Sequence, residues 1–173
     1  MRITPISRFF WFSPICILMA ACAAGHLHEG TYVDTTKGLV VPLPKVGWDI
    51  ETGKEPDLVL RHRSRRAGIL VDATCGDIPS RRPLHIAMRH LIFGIRGKAI
   101  LLQERLAVTS GDGIEMVLRG QMEGQELLLH AYTLRRSECL YHLLLFSAPE
   151  SYRAVNGEFE SMVRHVAGAG EVR

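Results

Sequence analysis

Cys139-Leu140-Tyr141-His142-Leu143-Leu144-Leu145-Phe146-Ser147-Ala148-Pro149-Glu150 decides how this chain folds, because two elements of different period meet inside it. From Cys139 to Phe146 the residues are almost continuously apolar, as expected for a central strand covered on both faces. Ser147-Ala148-Pro149-Glu150 then reads as a capping box, the serine accepting the third residue's N–H while Glu150 reaches back to the serine's own N–H. Behind it Tyr152, Val155, Phe159, Met162, Val163 and Val166 recur at helical spacing. They predict an amphipathic helix of about four turns, closed near Gly168 and packed on the sheet.

Upstream the period is two. Leu127, Leu129, Ala131 and Thr133 alternate with Leu128, His130, Tyr132 and Leu134, behind a turn at Glu123-Gly124-Gln125. Ile114, Met116, Leu118 and Met122 alternate with Glu115, Arg119 and Gln121, and Ile100 to Val108 precedes them across a turn expected at Ser110-Gly111-Asp112-Gly113. These connections are too short for crossovers, so the strands form an antiparallel meander. Before the meander, Leu84, Ala87, Met88, Leu91, Ile92 and Ile95 make one stripe of a helix with Pro83 in its first turn. Ser80 or an adjacent polar residue is expected to cap it, and Gly97 to end it. Ile86 and Phe93 point the other way and, with His90, form a candidate partner patch, either exposed or covered by a loop.

Earlier still, Asp57–Arg61 and Gly68–Ala73 read as arms of a hairpin joined by Arg61-His62-Arg63-Ser64-Arg65-Arg66. Gly38-Leu39-Val40-Val41-Pro42 is a short strand, and Val46 to Glu51 its continuation or partner beyond the proline break. Residues 37–168 therefore form one α+β domain, an antiparallel sheet of about six to seven strands with two main helices packed on it, followed by a tail at 169–173.

The composition agrees with one globular domain: 173 residues, 47% hydrophobic, 23% charged, formal charge +3. Nothing after residue 25 approaches the roughly 18 consecutive apolar residues of a spanning helix. The first 21 residues stand apart. Arg2 and Arg8 precede an apolar stretch, Phe9 to Ala21, that contains Pro14 and ends in small residues, the layout of a secretory signal. Without that signal the chain has 19 basic against 18 acidic side chains, and so no strong field to draw in nucleic acid.

Leu18-Met19-Ala20-Ala21-Cys22 resembles the lipobox of bacterial lipoproteins, with Met19 where leucine is usual. The resemblance implies a lipid on Cys22, which becomes the new N-terminus; the small, polar, non-periodic Ala23 to Gly30 then suits a short tether at 22–36 between anchor and fold. Ala23 follows rather than the aspartate that retains many such proteins in the inner membrane, so the resemblance favours the periplasmic leaflet of the outer membrane. Ordinary cleavage after Ala21 or Ala24, with Cys22 incidental, is the alternative. Cys16 leaves with the signal, and Cys75 and Cys139 remain in an oxidising compartment, where a disulfide is the natural expectation. Free buried thiols, or redox or metal chemistry, are the competing readings, with His142 three residues after Cys139.

The order of these parts resembles the PsbP-like domains, small α/β/α sandwiches. The carriers are Gly38-Leu39-Val40-Val41-Pro42, Gly47-Trp48, the single mid-chain helix and the closing Tyr141…Phe146-Ser147-Ala148-Pro149-Glu150…Phe159…Val163. The resemblance implies an accessory or binding domain with no shared catalytic site.

Residue chemistry adds little to that. There is no G-x-S-x-G, G-x-x-x-x-G-K, G-x-G-x-x-G or H-E-x-x-H. His85 and His90, five apart, lie about 140° apart around a helix and cannot share one ion. His26 and His28 lack a third ligand nearby, while His130 and His142 are candidates to meet through strand pairing. Arg61, Arg63, Arg65 and Arg66 in one loop, with Arg81 and Arg82 before the helix, are candidates for phosphate or lipid headgroups, since guanidinium binds phosphate bidentately. The sequence thus points to a non-enzymatic, lipid-anchored envelope module that needs no cofactor, whose partners are the membrane and an envelope protein. A small-ligand or lipid-binding protein using the space between sheet and helix is the alternative, and a thiol-dependent enzyme the third reading.

Overall fold

The computed structural model describes residues 25–108 and 111–168. The segment expected to be a signal, 1–21, the expected lipid site Cys22 and the expected tail at 169–173 lie outside them. In chain order the elements are β1 (His26–His28), β2 (Thr31–Asp34), β3 (Leu39–Pro42), β4 (Trp48–Thr52), β5 (Leu58–His62) and β6 (Ala67–Cys75). After these come α1 (Asp77–Arg81), α2 (Leu84–Leu91), β7 (Arg96–Val108), β8 (Gly111–Met122), β9 (Gln125–Arg136), β10 (Cys139–Ser147) and α3 (Pro149–Val166). Strands β4 to β10 build a seven-stranded sheet in the order β4-β5-β6-β10-β9-β8-β7, and β1-β2-β3 a separate three-stranded one.

The apolar run that opens the reading is central, as its composition requires. β10 lies antiparallel between β6 and β9, with Leu143 opposite both Val71 and Tyr132. Because side chains alternate, Tyr141, Leu143 and Leu145 enter the core under α3 while Leu144 and Phe146 enter the one under α2. α3 buries Val155, Phe159, Met162, Val163 and Val166 on one face, and α2 buries Ala87 and Met88 on the other. Tyr32, Leu39 and Val41 of the small sheet join the α3 core, so that sheet and α3 share one outer layer. The α+β class, the meander and the helix on either face stand as the sequence predicts.

Several local expectations are corrected. Part of the stretch at 22–36 expected to be tether is a hairpin, β1 paired with β2 and β2 with β3. Its turn holds Glu29 and Gly30 at φ of 45° and 74°, the left-handed pair that a tight two-residue hairpin requires. Tyr32 and Asp34 point into the core, Asp34 accepting from the Thr36 and Lys37 N–H groups. Gly38–Pro42 and Val46–Glu51 yield strands of different sheets, neither continuation nor partners. Gly111, Asp112 and Gly113 are strand rather than turn, opposite Arg136, Arg135 and Leu134. At Gly111 a Cβ would collide with the Arg135 carbonyl, so glycine serves close strand approach there.

The mid-chain helix is shorter than its stripe. It ends at Leu91, Gly94 takes φ of 91°, and Gly97 already belongs to β7, while Ile92 and Ile95 stay buried beyond the helix. Pro83 itself is the N-cap, with no side-chain cap bond. No capping box forms at α3 either. Ser147 is held as strand between Ala67 and Leu128, Ala148 becomes the N-cap, and Glu150 turns to Arg66 at 2.5 Å. The helix does close through Gly168, at φ of 85°.

Candidate functional site

The polar groups that the fold concentrates most tightly lie beneath α3. β8 and β9 place Glu115 opposite Tyr132, and Val117 opposite His130, so all three polar side chains point to the α3 face. α3 answers with Tyr152, Asn156 and Glu160, spaced four apart and therefore on one side of the helix. Glu115 Oε1 accepts from Tyr132 Oη–H at 2.8 Å and faces His130 Nε2 at 2.7 Å. The other ring nitrogen, Nδ1, faces Asn156 Oδ1 at 2.9 Å and the Tyr152 hydroxyl at 3.0 Å, with Glu160 Oε1 at 3.8 Å. The His130 side chain is only 3% exposed and packs edge-on to Phe159, ring centres 5.4 Å apart. Burial first, then the hydrogen bond to Glu115 and its charge, push the Tyr132 phenol far above its ordinary value. Tyr152 is raised by burial and then by Glu160 and Glu115.

Glu115, His130 and Glu160 offer three ligand atoms within 4.8 Å of one another, which invites a metal reading. The geometry argues otherwise. Glu115 approaches the imidazole at Nε2 and Glu160 at Nδ1, and lone pairs on these nitrogens diverge, so one ion cannot use the ring with both carboxylates as they stand. The arrangement is a hydrogen-bonded chain from sheet to helix that satisfies a buried imidazole and sets where α3 docks.

A second feature is an open cleft of about 520 Å³ where α2 begins, lined by Pro83, Leu84, His85, Arg105, Asp112 and Arg135 among others. Arg135 grips Asp112 with two bonds of 2.9 and 2.7 Å, and reaches the Arg82 carbonyl at 3.4 Å. His142 is on the α2 face too, 3.1 Å from Thr133 Oγ1; burial and then Arg82 push it down from 6.5 to about 4. His130 and His142 therefore occupy opposite faces and do not meet.

Cys75 and Cys139 are directly opposite in the β6–β10 ladder and are joined in a disulfide. Neither sulfur is left as a nucleophile or metal ligand, and His142 points to the face opposite Cys139, three residues along the strand. The six arginines do not form one patch. Arg61 to Arg66 stand before β6 and Arg81 and Arg82 after it, about 26 Å apart along nine strand residues. Arg61 pairs with Glu51, Arg63 with Asp49, Arg66 with Glu150 and Arg81 with Asp77, all on the surface; Arg65 and Arg82 are exposed. In the proposed partner patch Ile86 is half-buried, His90 exposed, and Phe93, past the helix end, 90% exposed. His26 and His28 are on β1, not on a tether.

Sequence reasoning missed the α3 half of the polar centre. Its signal is the Tyr152-Asn156-Glu160 stripe beside the apolar one. It also missed the ion pair of half-buried Lys37 with buried Asp57, and the bond from Trp48 Nε1–H to Glu158 at 2.8 Å.

Among solved structures the chain is similar to cyanobacterial PsbP (CyanoP) from Synechocystis sp. PCC 6803, with a TM-score of 0.57 and 19% identity over 77% of this chain and 88% of that one. The fold is PsbP-like. A protein of unknown function from Pseudomonas aeruginosa, PA94, aligns with a TM-score of 0.48 and 14% identity over 78% of this chain and 92% of its own. No protein-family model matches the chain, and no curated protein does. At 19% identity the PsbP-like likeness concerns the fold, and a fold does not carry an activity with it.

Proposed function

We propose that this PsbP-like domain is the folded part of a lipid-anchored cell-envelope protein and acts there as a non-catalytic accessory or binding module. The observation that supports this reading best is the Cys75–Cys139 disulfide. Such bonds persist in oxidising compartments, and both cysteines of the folded domain are committed to this one. The lipobox-like Leu18–Cys22 just before the fold then supplies the means of attachment. A binding role agrees with the chemistry of the polar centre, whose groups are spent on one another and shut away from substrate. The alternative of a ligand between sheet and helix loses ground, because Phe159, Met162 and Val163 fill that space against Tyr132 and Leu143.

The test is metabolic labelling with palmitate of the full chain and of Cys22→Ser, followed by membrane fractionation. Label and membrane retention that both disappear in the variant support the proposal. A wild-type protein without label, released with the soluble fraction, overturns it.

A further inference from the structure

The domain begins almost at the anchor. Between Cys22 and Gly25 there are three Cα-to-Cα steps, which reach at most about 11 Å. Gly25 is no loose joint either: a Cβ there would collide with the ring and hydroxyl of Tyr32, a fully buried side chain, so its backbone lies against the core. Whatever surface surrounds the start of β1 must therefore stay close to the bilayer that takes the lipid.

That surface is the outward face of the three-stranded sheet. The ladder aligns His26 with Val33 and Val40, and His28 with Thr31 and Pro42. The alternate row, Tyr32, Asp34, Leu39 and Val41, is buried, so these six residues point away from the core. None of the six is Asp, Glu, Lys or Arg. Val40 on this face is 41% exposed. A face without formal charges loses little solvation at an interface, whereas the surface at the start of β6 carries Arg63–Asp49 and Arg66–Glu150. Acyl chains already provide retention, so the face need only bias orientation, and the short reach keeps its effective concentration at the bilayer high.

We infer that the outward face of β1-β2-β3, which carries Val40, lies against the membrane that holds the anchor. The inference rests on the proposed lipid attachment at Cys22. To test it, the full chain is made as Val40→Cys and, separately, as Ile100→Cys, an exposed position on β7 at the far edge of the large sheet. With Cys22 acylated and Cys75 bonded to Cys139, the introduced thiol alone takes a nitrobenzoxadiazole label. Each protein is reconstituted in phosphatidylethanolamine–phosphatidylglycerol vesicles containing lipid with a nitroxide on its acyl chain. The probe at Val40 is expected to be quenched at least about twofold more than that at Ile100, as for groups held within the headgroup boundary. Equal quenching, or more at Ile100, overturns the orientation. His28→Cys on the same face repeats the reading should the first variant misfold. Intact mass separates the two ideas: no acyl mass on Cys22 removes both, whereas acylated protein with equal quenching removes only the orientation.

Discussion

Replacing Cys75 and Cys139 together by alanine tests the energetic reading of the sheet most directly. The bond closes a loop with a sequence separation of 64, and that loop contains α1, α2, β7, β8 and β9. On the chain-entropy account such a closure stabilises by about 4 kcal/mol, a large part of the roughly 5–15 kcal/mol typical of a domain. The structure explains why the full effect should appear. β10 must return past the whole meander to find β6 over nine paired positions, and the bond holds the first of those pairs together in the unfolded chain. Alanine at either site costs little packing, since Cys75 is exposed and Cys139 only partly buried. Trp48 provides the assay: it is buried, donates to Glu158 of α3, and is the one tryptophan after residue 21. Urea unfolding followed by its fluorescence should give a stability lower by about 4 kcal/mol and a steeper denaturant slope, because an uncrosslinked unfolded chain exposes more surface. A loss below about 1 kcal/mol with an unchanged slope would refute the idea that the bond acts by restricting the unfolded chain.

Other outcomes follow from the same geometry. Ser147→Ala should leave stability unchanged or slightly raised in urea titrations, because the buried Ser147 hydroxyl has no partner among the described residues; a helix cap would instead lose about 1 kcal/mol. In the polar centre, Tyr132→Phe removes one hydrogen bond and should cost about 1 kcal/mol by denaturant unfolding, whereas Glu115→Ala strands both Tyr132 and His130 and should cost about 3 kcal/mol. Equal losses for the two would show that Glu115 does not join them. For pH, His142 has a folded-state value pushed down to about 4 against 6.5 when unfolded, so the unfolded chain takes up the proton first as pH falls. Stability from this group is whole above pH 6.5 and declines toward pH 4, by at most about 3 kcal/mol. His142→Gln should flatten that part of the pH profile, and urea midpoints that stay parallel to wild type would argue against a buried neutral imidazole.

What could be read from the chain depends on how many residues repeat a signal. The Val155–Phe159–Met162–Val166 stripe and the alternation through Leu127 to Leu134 recur often enough to place α3 and the meander before any tertiary contact is known. β1 has three residues and β2 four, too few for a period, so the hairpin hides in what looks like tether; only Glu29-Gly30 hints at its turn. Half of the polar centre was within reach in the same way. Glu115 and His130 sit on recognisable strands, and Tyr152, Asn156 and Glu160 on a recognisable helix, yet their meeting depends on a register that pairs Glu115 with Tyr132 and on α3 covering that particular face.

The glycine and serine positions fail for a related reason. Gly111 and Gly113 satisfy the composition of a turn, and Ser147 to Glu150 the pattern of a cap, but each motif is local and cheap, worth about 1 kcal/mol. Against Ser147 stands the ladder on both sides, to Ala67 and Leu128, where leaving the strand would strand backbone groups in a buried site. Where a local preference and a two-sided central strand compete for one residue, the strand wins. The expectation to take from Cys139–Ser147 is that an apolar run covered on both faces extends to its last pairable residue, and the following helix starts only where proline no longer permits the ladder.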